Sequence, residues 1–267
     1  IYILLVILAV IFLAPIFIIL FNSFKGKLYI SDAPFKLPTA ETFVGVQNYI
    51  DGLSKTGFLS AFGWSIFITF FSTIVIVLFT SMTGWYITRA KNKVSTALYF
   101  IFVFSMIVPF QMVMFTMSKE ANMLSLDNPI GLIVLYLGFG AGLSIFMFSG
   151  FVKSIPIDIE EAALIDGCNP IKTFFLIVLP LLKPICISVA ILNVMWIWND
   201  YLLPSLVLKS DYKTIPMAVQ YLRGGYGAID MGAMMAVLVL AIIPIIIFYL
   251  TCQKYIIEGV AAGAVKG

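Results

Sequence analysis

The residues best equipped for chemistry in this chain gather in one segment, EEAALIDGCNPIKTFFLIVLP, spanning 160–180. Asp158, Glu160, Glu161 and Asp166 place four carboxylates within nine residues, and a Gly, an Asn and a Pro follow at once. Paired carboxylates can serve acid–base work, but the sequence contains no histidine, the usual general base and metal ligand. Its three cysteines, Cys168, Cys186 and Cys252, are far apart and form no C-x-x-C pair, so they read as small packing residues rather than zinc ligands or a disulfide framework. The stretch GFVKS at 150–154 lacks the spacing of a phosphate-cradling loop, and none occurs elsewhere. No nucleophile–base constellation is visible, which argues against an intramembrane enzyme. The expectation is a non-catalytic chain with no metal and no bound cofactor. A net charge of +3 without a basic stripe excludes nucleic acid as a partner.

A second polar group lies in NVMWIWNDY, where Asn193, Asn199 and Asp200 accompany Trp196 and Trp198. Polar side chains within apolar spans are costly and often mark a transport pathway. Aromatic faces beside amides and a carboxylate suit a sugar. Trp and Tyr also anchor helices at the membrane interface, so this cluster has a structural reading as well. Gln111, Asn128 and Gln220 are weaker candidates.

The elements that must position these residues are membrane helices. Of 267 residues, 62% are hydrophobic and 11% charged, against about 25% charged in a soluble domain; the mean hydropathy is +1.09. Apolar runs at about 1–21, 59–88, 94–117, 129–151, 176–203 and 228–252 approach or exceed the roughly 20 residues that cross hydrocarbon. Such segments must satisfy their own backbone hydrogen bonds, so the fold class is an all-α integral membrane protein with six transmembrane helices, forming one domain over 1–267. The chain opens at Ile1 rather than Met, so an upstream start is expected, and its first run reads as a span rather than a signal peptide. The short basic loop RAKNK at 89–93 argues for a cytoplasmic location, which would put both termini and the 160–180 segment in the cytoplasm. Lys25, Lys27, Lys36 and Lys55 on the opposite side weigh against this. Prolines at 15, 109, 180, 184, 204 and 244 are expected to kink spans.

Between spans, GVQNYIDGL suggests a short surface helix with Val46, Tyr49, Ile50 and Leu53 on one face. The loop at about 208–230 carries Tyr212, Tyr221 and Tyr226 beside Gly-Gly and could meet an external protein. In the acidic segment, Asp158 and Glu161 have capping-box spacing and Gly167 suits a left-handed helix end. Asn169 can cap a second helix with Pro170 in its first turn, and Leu179-Pro180 marks a bend. The first helix is about two turns and needs a surface to pack on. With Ala162 and Ala163 on the side of Ile159 and Asp166, it reads either as a docking peg or as a helix resting on its own protein.

The segment resembles the permease subunits of ATP-binding-cassette importers, whose cytoplasmic loop carries E-A-A-x(3)-G-x(9)-I-x-L-P. This chain has Glu161-Ala162-Ala163, Gly167 and Ile177-Val178-Leu179-Pro180 in those places. GVQNYIDGL, WIWNDYLLP and YIIEGVAAGAVKG are similar to the carbohydrate-uptake class, above all to the second permease of maltose-type systems. Cys168 stands where that family usually has alanine. The resemblance implies a coupling loop at 152–175 whose cytoplasmic helix, between spans 4 and 5, seats in an ATPase subunit through Glu160, Glu161, Ala162, Ala163, Asp166 and Gly167. It implies a cytoplasmic tail, 253–267, contacting the ATPases through Gly263, Lys266 and Gly267. It also implies a second homologous permease, two ATPases that use ATP and Mg, an extracellular or periplasmic solute-binding protein, and a bacterial or archaeal cytoplasmic membrane. The function implied is import of di- or oligosaccharides, with sugar contacts chiefly on the partner permease. Alternative solutes are glycerol-phosphate-like compounds or amino acids. An ion-coupled secondary transporter would need inverted repeats and intramembrane coupling residues, and neither is evident.

Overall fold

A computed structural model describes residues 1–222 and 230–264, with side chains at 221 and 256–264 excepted. The chain divides into two compact units, Ile1–Ser65 with Ser210–Leu250, and Ile66–Lys209 with Thr251–Gly267.

In the first unit, α1 (Tyr2–Asn22) is an apolar span, followed by the short α2 (Lys27–Asp32) and α3 (Gln47–Thr56). The surface helix expected in GVQNYIDGL is therefore present, but its buried face is Asn48, Gly52 and Thr56, while Val46, Ile50 and Leu53 point outward. Asn48 explains the inversion. Its amide donates to the carbonyls of Ser23 and Lys25, both at 2.8 Å, which the neighbouring Lys25–Phe43 bridge does not use. Gly52 admits the last long helix: a Cβ there would meet Val237 Cγ2 at 2.7 Å and the Ala233 carbonyl at 3.0 Å. Lys55 closes the unit with an ion pair to Asp230 at 2.6 Å.

Helix α4 (Phe58–Ala90) runs from the first unit into the second. There α5 (Lys93–Ser105) begins at a capping box between Asn92 and Ser95, α6 (Phe110–Met123) follows, and α7 (Pro129–Val152) starts where Asn128 accepts from the amides of Ile130 and Gly131. The polar segment forms α8 (Asp158–Ile165) and α9 (Pro170–Thr173), then a π-helical turn (Phe174–Val178) that merges into α10 (Leu179–Leu181). After α11 (Lys183–Asn199) and α12 (Leu202–Val207), the chain re-enters the first unit through α13 (Ile215–Tyr221) and ends in α14 (Met231–Ala264).

Small residues on α7 set the packing of the second unit. A Cβ at Gly84 of α4 would lie 2.7 Å from Phe148 Cβ, and one at Gly142 would lie 2.7 Å from the Phe102 carbonyl of α5. Close backbone approach of this kind replaces the hydrophobic drive that is missing between helices in lipid.

Four described helices are long and apolar enough to cross a membrane: Tyr2–Asn22, Phe58–Ala90, Pro129–Val152 and Met231–Tyr255. The runs expected as spans at 94–117 and 176–203, with kinks at Pro109, Pro180 and Pro184, are each sharply bent. Lys93–Ser105 and Phe110–Met123 meet at 104°, and Pro170–Leu181 and Lys183–Asn199 at 77°. The first break falls before Pro109, whose ring removes a backbone donor. The second lies at Leu182, two residues past the expected Leu179-Pro180 bend and one before the Lys183-Pro184 start of α11. Helix α14 continues past 253, where the tail is expected to begin, as far as Ala264.

Candidate functional site

Helix α8 begins without the expected Asp158–Glu161 box. Ile157 occupies the cap position with no side-chain bond, and the amides of Glu160 and Glu161 turn back on the Ile157 carbonyl at 2.9 and 3.0 Å. The acidic residues serve the helix through its positive end, where Asp158, Glu160 and Glu161 fill the first turn. Its other end matches the expectation. Gly167 adopts φ +83°, its amide reaches the Leu164 carbonyl at 3.1 Å, and the Cys168 amide reaches that of Ala163 at 2.9 Å. This is a Schellman closure, which only glycine enters without a Cβ penalty. Asn169 then caps α9 through the Lys172 amide at 2.9 Å, with Pro170 leading, as expected.

The candidate docking residues separate into two faces. Glu160 is only 7% exposed and Ala163 4%, whereas Glu161, Ala162, Asp166 and Gly167 are all exposed. Ala162 and Ala163 therefore do not share a face, because neighbouring helical positions point about 100° apart. Glu160 is held from inside. Arg89 donates to its Oε1 from Nε at 2.9 Å and Nη2 at 2.7 Å, and the Trp85 indole donates to Oε2 at 2.9 Å. The same Nη2 reaches the Ile155 carbonyl at 2.9 Å, tying the entry loop to α4 as well. Trp85 and Arg89 stand one turn apart on α4, so one helix face carries the whole clamp. Neither was singled out from the sequence. The signal available was a Trp-x-x-x-Arg pair at the end of an apolar span, facing an acidic loop.

Below the clamp, Phe148, Val152, Ile155, Phe174, Val178 and Leu182 form a buried cluster with Trp85 packed against it. The π-helical turn supplies Phe174 and Val178 to that cluster, four positions apart on one side. What α8 leaves outside is apolar at the edges: Ile165 is 87% exposed, and Leu164, Ile157, Ile159 and Ile171 are exposed too.

The second candidate group is partly assembled and partly dispersed. Asn193 is buried, and its amide donates to the Val189 carbonyl at 2.8 Å and Ser144 Oγ at 3.3 Å. Asp200 accepts the Tyr136 hydroxyl at 3.0 Å and, just before α12, the Leu202 amide at 2.9 Å. Trp196 stacks edge-on against Tyr136 at 5.4 Å and lines two adjoining cavities. Trp198 is buried, and the Asn199 amide folds back on the Met195 carbonyl at 2.7 Å, so these two stand apart from the cavities. Gln111 joins Asp200 at one cavity. Asn128 caps α7. Of the tail residues, Gly263 lies in α14 among positions without described side chains, and Lys266 and Gly267 lie outside the described residues, as does Tyr226. Tyr212 packs edge-on against Trp64 at 5.1 Å. No cluster of His, Cys, Asp or Glu suited to a metal occurs among the described residues.

The described residues form a helical membrane chain, with a capped and clamped acidic helix turning into a broken span. Residues 77–261 match the family described as binding-protein-dependent transport system inner membrane component, and the chain belongs to it. It is thus a multi-pass, non-catalytic permease rather than a secondary transporter or an enzyme. Among relatives, the probable starch degradation products transport system permease protein of Thermoanaerobacterium thermosulfurigenes is 39% identical over 98% of this chain and 94% of its own. The multiple sugar-binding transport system permease protein of Streptococcus mutans is 35% identical over 99% and 96%. The fold resembles that in a crystal structure of a bacterial ABC transporter involved in import of the acidic polysaccharide alginate, with TM-score 0.78, 24% identity, and coverage of 95% and 94%.

Proposed function

We propose that this chain is one of two permease subunits in an ATP-driven importer of di- or oligosaccharides, and that α8 is its coupling helix. The supporting observation is the division of α8. Its inner face is fixed to α4 by the Glu160–Arg89–Trp85 clamp, while Glu161, Ala162, Leu164, Ile165 and Gly167 remain outside. An ATPase subunit seated on that outer face would move α8 and α4 together, and the buried cluster beneath would carry the motion into α7 and α11. Two such ATPases would use ATP and Mg, a homologous permease would complete the pathway, and an external binding protein would deliver the sugar. Both termini and α8 face the cytoplasm in this reading, and the tail with Gly263, Lys266 and Gly267 reaches the ATPases. Relatives named for starch products, multiple sugars and melibiose, raffinose and stachyose support the solute class.

The test is purification from the native membrane, followed by Ala162→Trp, which enlarges only the outer face. The expected result is a complex with two permease and two ATPase subunits, in which Ala162→Trp abolishes transport and uncouples hydrolysis while the fold persists. Recovery of the chain alone, or normal transport by the variant, would refute the assignment.

A further inference from the structure

The two cavities around Trp196 measure about 270 and 210 Å³ and share Phe139 and Trp196 as a common wall. Together they reach the lower part of the range for ligand sites, roughly 300–1,000 Å³. The break in the α5–α6 span opens onto them: Met106 borders one, and Phe110 and Gln111, the first residues of α6, border the other. Pro109 caps α6 with no side-chain bond, so the first turn of α6 has no side-chain acceptor at its cap. Irregular backbone at membrane depth is tolerated where it lines a cavity, and broken helices of this kind form solute sites in transporters.

The polar groups at these walls have capacity to spare. Asn193 uses its amide nitrogen on Val189 and Ser144, but its Oδ1 accepts nothing among the described residues. Gly140 leaves that oxygen uncovered, since a Cβ there would sit 3.0 Å from it. Gln111 makes no hydrogen bond with a described residue and is exposed. Trp196 is 40% exposed. Asp200 Oδ2 takes only the Tyr136 hydroxyl, and a carboxylate oxygen can accept more than one donor. Aromatic faces suit the C–H surface of a pyranose, while the amide and carboxylate oxygens suit its hydroxyls. Among the described residues Asp200 is the sole charged one at either wall, so an anionic solute would meet a carboxylate there.

The geometry points to a subsite for one neutral pyranose unit within this subunit, formed by Trp196, Phe139, Gln111, Asn193 and Asp200. It rests on the reading of the chain as a sugar permease and deepens it: the subunit selects by charge as well as forming half of a pathway.

The experiment uses the assembled transporter in nanodiscs without binding protein and follows binding of radiolabelled maltotriose and of the anionic trigalacturonate. Wild type should bind maltotriose and refuse trigalacturonate. Trp196→Leu should weaken maltotriose about tenfold, the upper end of an aromatic contact. Gln111→Ala, at an exposed position with no internal bond to lose, should weaken it about threefold to tenfold. Gln111→Arg should gain trigalacturonate binding. All three variants should purify as the assembled complex, because α8 is untouched. Unchanged maltotriose binding in both Trp196→Leu and Gln111→Ala, or trigalacturonate binding equal to maltotriose in wild type, would overturn the subsite while leaving sugar import standing. A wild-type complex that neither hydrolyses ATP nor takes up any sugar would instead overturn the permease reading itself.

Discussion

Replacing Arg89 by methionine keeps the aliphatic stem and removes every charged bond to Glu160. The carboxylate would retain the Trp85 indole at 2.9 Å, and the Ile155 carbonyl would lose its partner at 2.9 Å. Breaking one side of a buried pair costs about 3–5 kcal/mol. Arg89 is only partly buried, so water can reach the site and the lower end, about 3 kcal/mol, is expected. An isolated eight-residue helix has almost no stability of its own, so that loss would free α8 from α4. Removing both charges, as Arg89→Met with Glu160→Met, replaces the pair by apolar volume and should cost about 1 kcal/mol or less. The non-additivity should then be about 2 kcal/mol or more. Unfolding of each variant, followed by tryptophan fluorescence in lipid nanodiscs, measures it. Sugar uptake in proteoliposomes should fall in Arg89→Met and return in part in the double variant. If the double costs as much as the sum of the singles within about 0.5 kcal/mol, the clamp carries no coupling and the reasoning fails.

Gly167→Ala meets no atom within 4 Å, so its cost is the left-handed backbone alone, about 1–2 kcal/mol, and uptake per ATP hydrolysed should drop without loss of assembly. Asn128→Ala removes the α7 cap and should lower stability by about 1 kcal/mol in thermal unfolding. Gly84→Ala forces a Cβ against Phe148 and should destabilise the protein by about 1–3 kcal/mol, read in the same way. The Lys55–Asp230 pair gives a pH dependence. Desolvation pushes the Asp230 carboxyl up, but hydrogen bonds from Lys55 and the Ala233 amide, with the Lys55 and Lys27 charges, hold it below its usual 3.8. Its stabilisation is complete above 3.8 and is lost as pH falls through the lowered value. Lys55 is raised above 10.5, chiefly by its hydrogen bond to Asp230, so its share is lost only as pH rises through that higher value. Asp230→Asn should flatten both limbs of a proteolysis–pH profile, each about 1 kcal/mol or less because Lys55 is half exposed.

The apolar runs made the membrane class legible, and Gly167, Asn169 and Pro170 announced their local geometry because turn and cap chemistry is short-range. The prolines marked kinks near 109 and 180–184, but the sharp breaks of 104° and 77° were not legible, since both halves of each broken span are equally apolar and hydropathy does not register direction. Asp158 looked like a cap from its spacing, yet the Ile157 backbone took the place. The clamp escaped notice because Arg89 and Glu160 are 71 residues apart, a separation over which spacing carries no information. Trp196 and Asp200 were picked out by type, while Gln111 needed the bent α5–α6 pair to reach them.

The inverted dress of α3 has a consequence for how this protein tolerates change. Its outward residues, Ile50 and Leu53, are exposed, while Asn48 and Gly52 hold the fold. Polar replacements at Ile50 should leave the fold intact, whereas Asn48→Leu, an apparent gain in hydrophobicity, would strip two carbonyls of their donor. A hydropathy scale ranks these two substitutions backwards. Around α3, the protein's own interior is where its hydrogen bonds are kept.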